Sequence, residues 1–185
     1  MLAKMLAAAA LSAAMLGGAA TVADAREGAA LIIGNAAYHG HHVPKSAFAG
    51  RDALMVRRQV LTRFGYDADN VVMLRDASLA QMHEAIGTAA APAAGLAGKV
   101  AANRTPLVFF YSGHCVPGGN DARAYLLPVD ANPDRADTTG LALRDIYAAL
   151  QALQPRSLVM ILDCGVAADS HAGPLLAAPM AATDD

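Results

Sequence analysis

The stretch LVFFYSGHCVPGG, residues 107 to 119, is an unbroken apolar run from Leu107 to Tyr111 that stops at Ser112 and Gly113 and delivers His114 and Cys115. A short continuous apolar run bounded by turn residues is the pattern of a strand covered on both faces. Working outward, the pattern recurs at Ala29 to Ile33, ended by Gly34 and Asn35, at Val71 to Leu74, and at Leu158 to Leu162, ended by Asp163 and Cys164. Helices alternate with these strands. Ala49, Ala53, Val56, Val60 and Phe64 recur at steps of four, three, four and four with arginines between them, one apolar stripe stopped by Gly65. Ser78 with Gln81 three residues on forms a capping box that opens a second helix, and Leu141 to Leu153 reads as a third. Pro92, Gly95 and Gly98 make a loop of the segment between, and Tyr125 to Val129 reads as a short extended piece. This alternation predicts a largely parallel sheet with helices on both faces, its functional residues at the carboxyl ends of the strands.

The chain of 185 residues begins with Lys4 and then a charge-free stretch from Met5 to Ala20, closed by Ala23, Asp24 and Ala25. A positive start, an apolar middle and a small-x-small triplet predict a cleaved export signal over residues 1 to 25, with an uncleaved anchor as the alternative. The expected compartment is periplasmic or extracellular, and no membrane association is expected once the signal is removed. The remainder, residues 26 to 185, suits one domain. A net charge of -2 without a basic cluster excludes a nucleic-acid footprint. Two cysteines, Cys115 and Cys164, are too few for a disulfide scaffold, although in an oxidising compartment they can pair.

Two strand ends carry residues competent for chemistry: His114 on one, Asp163 and Cys164 on the other. A thiol needs a base to supply its thiolate, and an imidazole at the same sheet edge does this if the two strands are neighbours. His39, His41 and His42 read as a solvated loop rather than a metal site, since no further ligand partners them.

At this point the chain resembles the caspase and metacaspase family, bacterial members in particular. AALIIGNAAY (29 to 38) looks like the family's first strand with its Gly-Asn exit, and AGRDALMVRRQVLTRFGY (49 to 66) like its first helix. FFYSGHCVPGG (109 to 119) is similar to the Ser-Gly-His-Gly motif of the catalytic histidine, AYLLPVDA (124 to 131) to the segment after it, and LVMILDCG (158 to 165) to the Asp-Ala-Cys motif of the nucleophile. The resemblance runs collinearly over about residues 29 to 165. It implies a caspase-like three-layer α/β/α sandwich and a cysteine endopeptidase cutting proteins or peptides after basic residues. Within it, His114 is the general base, Cys164 the candidate nucleophile, Gly113 and Cys115 the shapers of the oxyanion pocket, and Asp163 the receiver of the basic side chain. No cofactor or metal is expected, calcium at Asp130 being the one that the resemblance leaves open; a single carboxylate is far from the six to eight oxygens calcium takes.

Three departures from the family pattern qualify this. The family's nucleophile stands two residues after the aspartate, whereas Cys164 stands one after Asp163, and an ungapped match puts Gly165 in its place. Successive strand residues point to opposite faces, so the slip aims the sulfur away from His114 unless a bulge re-aims it. The alternative function is therefore a catalytically inactive binding module. Cys115 replaces the glycine of the oxyanion hole, a substitution that a positive φ would disfavour. Only 21 residues follow Cys164, where the family usually continues with strands that complete the cleft, so the sheet is expected to be truncated at its carboxyl-terminal end. The plainer alternatives stay open: a loop histidine at 114, a turn-capping aspartate at 163, a buried apolar cysteine at 164, and two free thiols in place of a Cys115–Cys164 bond.

Overall fold

Strand β1 (Ala29–Gly34) is buried along its whole length, because sheet neighbours flank both its edges and helices cover both its faces. In the computed structural model, which describes residues 26–39, 43–91, 94–118 and 123–164 and the backbone of strand residues 169–170 and 173–174, it lies between β2 (Val71–Arg75) and β3 (Pro106–Ser112). The order of the main sheet is β2-β1-β3-β7, with β7 (Ser157–Asp163) at the edge and every pairing parallel. Its register aligns Gly34 with Ser112 and Ser112 with Asp163, so the strand ends that carry the candidate residues share one border. The expected export signal and Gly165 lie outside the described residues.

Alternating side chains divide the core into two layers, as strand geometry demands. Ala30, Ile32, Val108 and Phe110 meet Ala53 and Val60 of helix α1 (Ala49–Thr62) on one face. Gly34 lets this helix approach, for a Cβ there would sit 2.7 Å from the Ala49 carbonyl oxygen and the Ala53 Cβ. Leu31, Ile33, Phe109 and Tyr111 pack on the other face against Met82 and Ile86 of α2 (Leu79–Ile86), Leu96 of α3 (Ala94–Ala97) and Ile146, Ala149 and Leu150 of a later helix. Ser78 and Gln81 form the capping box, each side chain bonding the other's backbone N–H. The architecture is the α/β sandwich with a largely parallel sheet that the sequence predicts.

Several elements differ from the sequence reading. The segment around Pro92 and Gly95 contains the one-turn helix α3 where a loop is expected, its Leu96 buried beneath the sheet. A second, antiparallel sheet follows β3: β4 (Cys115–Pro117), β5 (Ala124–Leu126) and, after the short helix α4 (Ala136–Thr139), β6 (Leu141–Ala142). Because Leu141 and Ala142 pair with β5, the next helix, α5 (Leu143–Ala152), starts two residues later than its apolar pattern suggests. The fourth strand, read as buried, is an edge strand among the described residues, with Val159, Ile161 and Leu162 exposed. An apolar run reports what a strand can bury, not whether the fold supplies a neighbour.

Candidate active site

The site is built where β3 and β7 end together. Ser112 donates its hydroxyl proton to Asp163 Oδ2 at 2.8 Å, and the Gly113 N–H points to the Asp163 carbonyl at 3.4 Å. The donor that the family resemblance assigns to an oxyanion pocket is thus directed at β7. Asp163 itself remains exposed at the open end of its strand.

Beyond Gly113 the chain is clasped by two tyrosines. The His114 N–H donates to the Tyr38 hydroxyl at 2.8 Å, and the Tyr111 hydroxyl lies 2.9 Å from the carbonyl oxygens of both His114 and Leu127. A Cβ on Gly113 would stand 2.6 Å from the Tyr111 hydroxyl and 2.7 Å from that of Tyr38, which is why glycine is needed between them. Burial raises both phenols, Tyr38 to about 12 and Tyr111 well above its ordinary value, so both stay protonated and act as neutral braces. The His114 ring lies against Tyr38 at 4.9 Å between centroids, and its Nε2 is 2.8 Å from the Pro44 carbonyl oxygen. A carbonyl only accepts, so Nε2 carries the proton and Nδ1 is the basic nitrogen of the neutral ring. Desolvation lowers the imidazole pKa, outweighing the Pro44 hydrogen bond that raises it, and the ring is neutral at pH 7.

Cys115 begins β4 with extended backbone, a conformation that admits its side chain, and lies in the main core with Leu31, Ile33 and Tyr111. It is bonded to Cys164: the two form a disulfide with Cα atoms 5.8 Å apart. Cys164 packs against the same core cluster. Consecutive residues of an extended segment project to opposite sides, and here Cys115 turns into the core while His114 turns to Tyr38 and Pro44. The structure therefore brings His114, Asp163 and both cysteines to one border, with the Cys164 sulfur joined to the residue on the core side of His114.

Two residues of this border have no role in the sequence reading. Asn35 is buried; its side-chain oxygen accepts from the Ala77 N–H at 2.9 Å and its Nδ2 donates to the Leu127 carbonyl at 3.1 Å, joining three chain segments. Asp76, at a φ of 49°, accepts with one oxygen from the N–H groups of Ala36 and Ala37, both at 2.8 Å. The Gly-Asn exit at Gly34 and Asn35 was the only available signal. Asp130 accepts from the Leu79 N–H at 2.8 Å and so caps α2. Among the described residues no group of three or more His, Cys, Asp and Glu could hold a metal ion, and Asp130 alone does not fit calcium. His39 is exposed, whereas His41 and His42 lie outside the described residues.

The class of the protein is thus an α/β/α sandwich with a histidine and a cysteine at the ends of adjacent parallel strands. The chain belongs to the caspase-domain family, whose model matches residues 27–181, and its ancestry is that of a cysteine peptidase. No curated protein matches the chain.

Proposed function

We propose that this exported domain is a catalytically inactive peptide-binding module of cysteine-peptidase ancestry, with Asp163 as the anchor for a basic side chain. The bond between Cys164 and Cys115 carries this reading, because a sulfur in a disulfide is not a nucleophile and this one sits on the core side of His114. The same bond supports export, since disulfides persist in oxidising compartments. Asp163, exposed at the strand end and oriented by Ser112, suits a guanidinium or ammonium group.

A second reading, an endopeptidase cutting after basic residues, is favoured by the neutral His114 imidazole, which at pH 7 is able to accept a thiol proton. One experiment separates the two. The mature protein is incubated, with and without a dithiol reductant, with a thiol-directed arginyl peptide probe, and an unreactive arginyl peptide is titrated in parallel. The module binds the unreactive peptide saturably, loses it in Asp163→Asn, and leaves the probe unused under both conditions. Labelling of Cys164 that appears on reduction and disappears in His114→Ala would instead establish the enzyme.

A further inference from the structure

Helix α1 buries Ala49, Ala53 and Val60 against the sheet, and a surface helix of this kind normally turns a polar side to water. The outward side of α1 is different. Leu54, Met55 and Arg58 follow Arg51 at steps of three, four and seven, so all four stack on the side opposite the buried stripe, with Phe48 at its N-terminal end. Phe48 is 60% exposed, Met55 57% and Leu54 47%, and the exposed Arg51 and Arg58 flank them. The Arg51 guanidinium lies over the Phe48 ring, 4.7 Å from its centroid. Single exposed apolar residues are ordinary, whereas three on one helical side framed by cations mark an interaction surface. The charge on this helix is also of one sign. With its C-terminal cap it carries Arg51, Arg57, Arg58 and Arg63 against the single acid Asp52, in a chain whose net charge is -2. Arg75, exposed at the end of β2, adds a cation beside Gly50, where an added Cβ would lie 3.7 Å from its Nη2. The remainder of the chain is therefore net acidic, and an anionic surface attracts this side of the domain selectively.

We propose that the outward face of α1 docks flat on a bilayer surface rich in anionic lipid, with Phe48, Leu54 and Met55 entering the boundary between headgroups and acyl chains and Arg51 and Arg58 binding lipid phosphates. Both halves of the face are served at once. The aliphatic stem of an arginine lies along apolar neighbours while its guanidinium stays at the level of the phosphates, which it meets with paired hydrogen bonds. A helix that mixes basic and large apolar residues on its free side has the composition of an interfacial helix, held by buried apolar area and by attraction to anionic lipid together. A nucleic acid would satisfy the arginines but offers Leu54 and Met55 no apolar layer. No membrane association is expected from the sequence, where α1 shows only its buried stripe; the basic and apolar outward face is a product of the fold. Since α1 starts beside Gly34, at the end of the sheet that bears His114, a flat α1 leaves the candidate site facing along the membrane plane rather than into it.

The chain contains no tryptophan, so a single introduced one reports its own surroundings. Met55→Trp, at an exposed position, is mixed with vesicles of phosphatidylglycerol and phosphatidylethanolamine and, in parallel, with vesicles of phosphatidylcholine alone. Its fluorescence is expected to move to shorter wavelength on the anionic vesicles and not on the zwitterionic ones, with binding that weakens as salt rises. Tyr147→Trp, on α5 across the sheet, should sediment with the same vesicles without any shift. Adding Arg51→Gln and Arg58→Gln to Met55→Trp should weaken binding about 25-fold, about fivefold for each basic residue at an anionic surface. Leu54→Gln should weaken binding without reducing its salt dependence. All these positions are exposed, and unchanged circular dichroism verifies that each variant is folded. Met55→Trp that stays water-exposed on anionic vesicles would overturn the proposal and leave the face to an acidic protein, even if the protein sediments, since the apolar start of the chain could bind lipid by itself. A shift of equal size on phosphatidylcholine, or in Tyr147→Trp, would overturn it as well.

Discussion

Cys115 and Cys164 are bonded across the border of the sheet, 49 residues apart in sequence, with Cα atoms 5.8 Å apart. The bond ties the start of β4 to the end of β7 at the level where Ser112 already holds Asp163, so the loop carrying His114 is fixed on both sides. The pairing gives both cysteines a structural role in one step.

The disulfide should therefore contribute to stability whether or not the domain has activity. By loop-closure entropy a link of this span is worth up to about 4 kcal/mol. Thiol counting on the denatured, unreduced protein should find no free thiols, and urea unfolding with reductant should shift to a lower midpoint by a comparable free energy. Two free thiols per chain would contradict the pairing.

A pH dependence follows from His114. Its pKa is lowered by burial, so on acidification the unfolded chain binds a proton before the folded one does. The imidazole's contribution to stability is intact above the unfolded pKa of about 6.5 and declines as pH falls from there through the folded-state pKa, levelling below it. Comparing urea midpoints of the parent and His114→Gln from pH 8 to pH 4.5 isolates this contribution: the parent should lose more stability on acidification than the variant.

Much of the fold was legible because its signals are local. The four main strands, the helical stripe from Ala49 and the Ser78 capping box are each written in periodicity or in one short motif. The parallel order followed from the alternation of strands and helices. What could not be read depends on distant residues. Tyr125 and Leu126 carry no mark that says they pair with Cys115 to Pro117, and Leu158 to Leu162 reads the same at an edge as at a centre. The site was legible as residue types, His114, Asp163 and the cysteines. Its geometry rests on Tyr38, Tyr111 and Asn35, which act through single hydroxyl and amide contacts that leave no pattern in sequence.

Asn35 should be a structural keystone despite its distance from any chemistry. Its amide bonds the Ala77 N–H and the Leu127 carbonyl in a dry environment, and removal of one partner leaves the others unsatisfied. Asn35→Ala is expected to lower unfolding free energy by about 1 to 3 kcal/mol per buried group orphaned. Asn35→Asp keeps the acceptor but loses the donor to Leu127 and should also destabilise. Midpoints in urea at constant slope check both.

The tightest steric argument concerns Gly113 and the tyrosines that enclose it. An alanine there would bring its methyl to 2.6 Å from the Tyr111 hydroxyl and 2.7 Å from that of Tyr38, far inside van der Waals contact, and neither phenol can swing away without releasing a backbone partner. Overpacking of this kind costs about 1 to 3 kcal/mol. Tyr38→Phe alone should cost about 1 to 3 kcal/mol, because the His114 N–H loses its acceptor in a largely buried setting. Combined, the two changes should cost less than their sum, since removing the Tyr38 oxygen opens space on one side of the new methyl while the Tyr111 contact persists. Urea unfolding of the two single variants and the double variant measures the coupling. Strict additivity would mean that the Tyr38 hydroxyl does not enclose Gly113, and that something other than this clasp holds His114 in place.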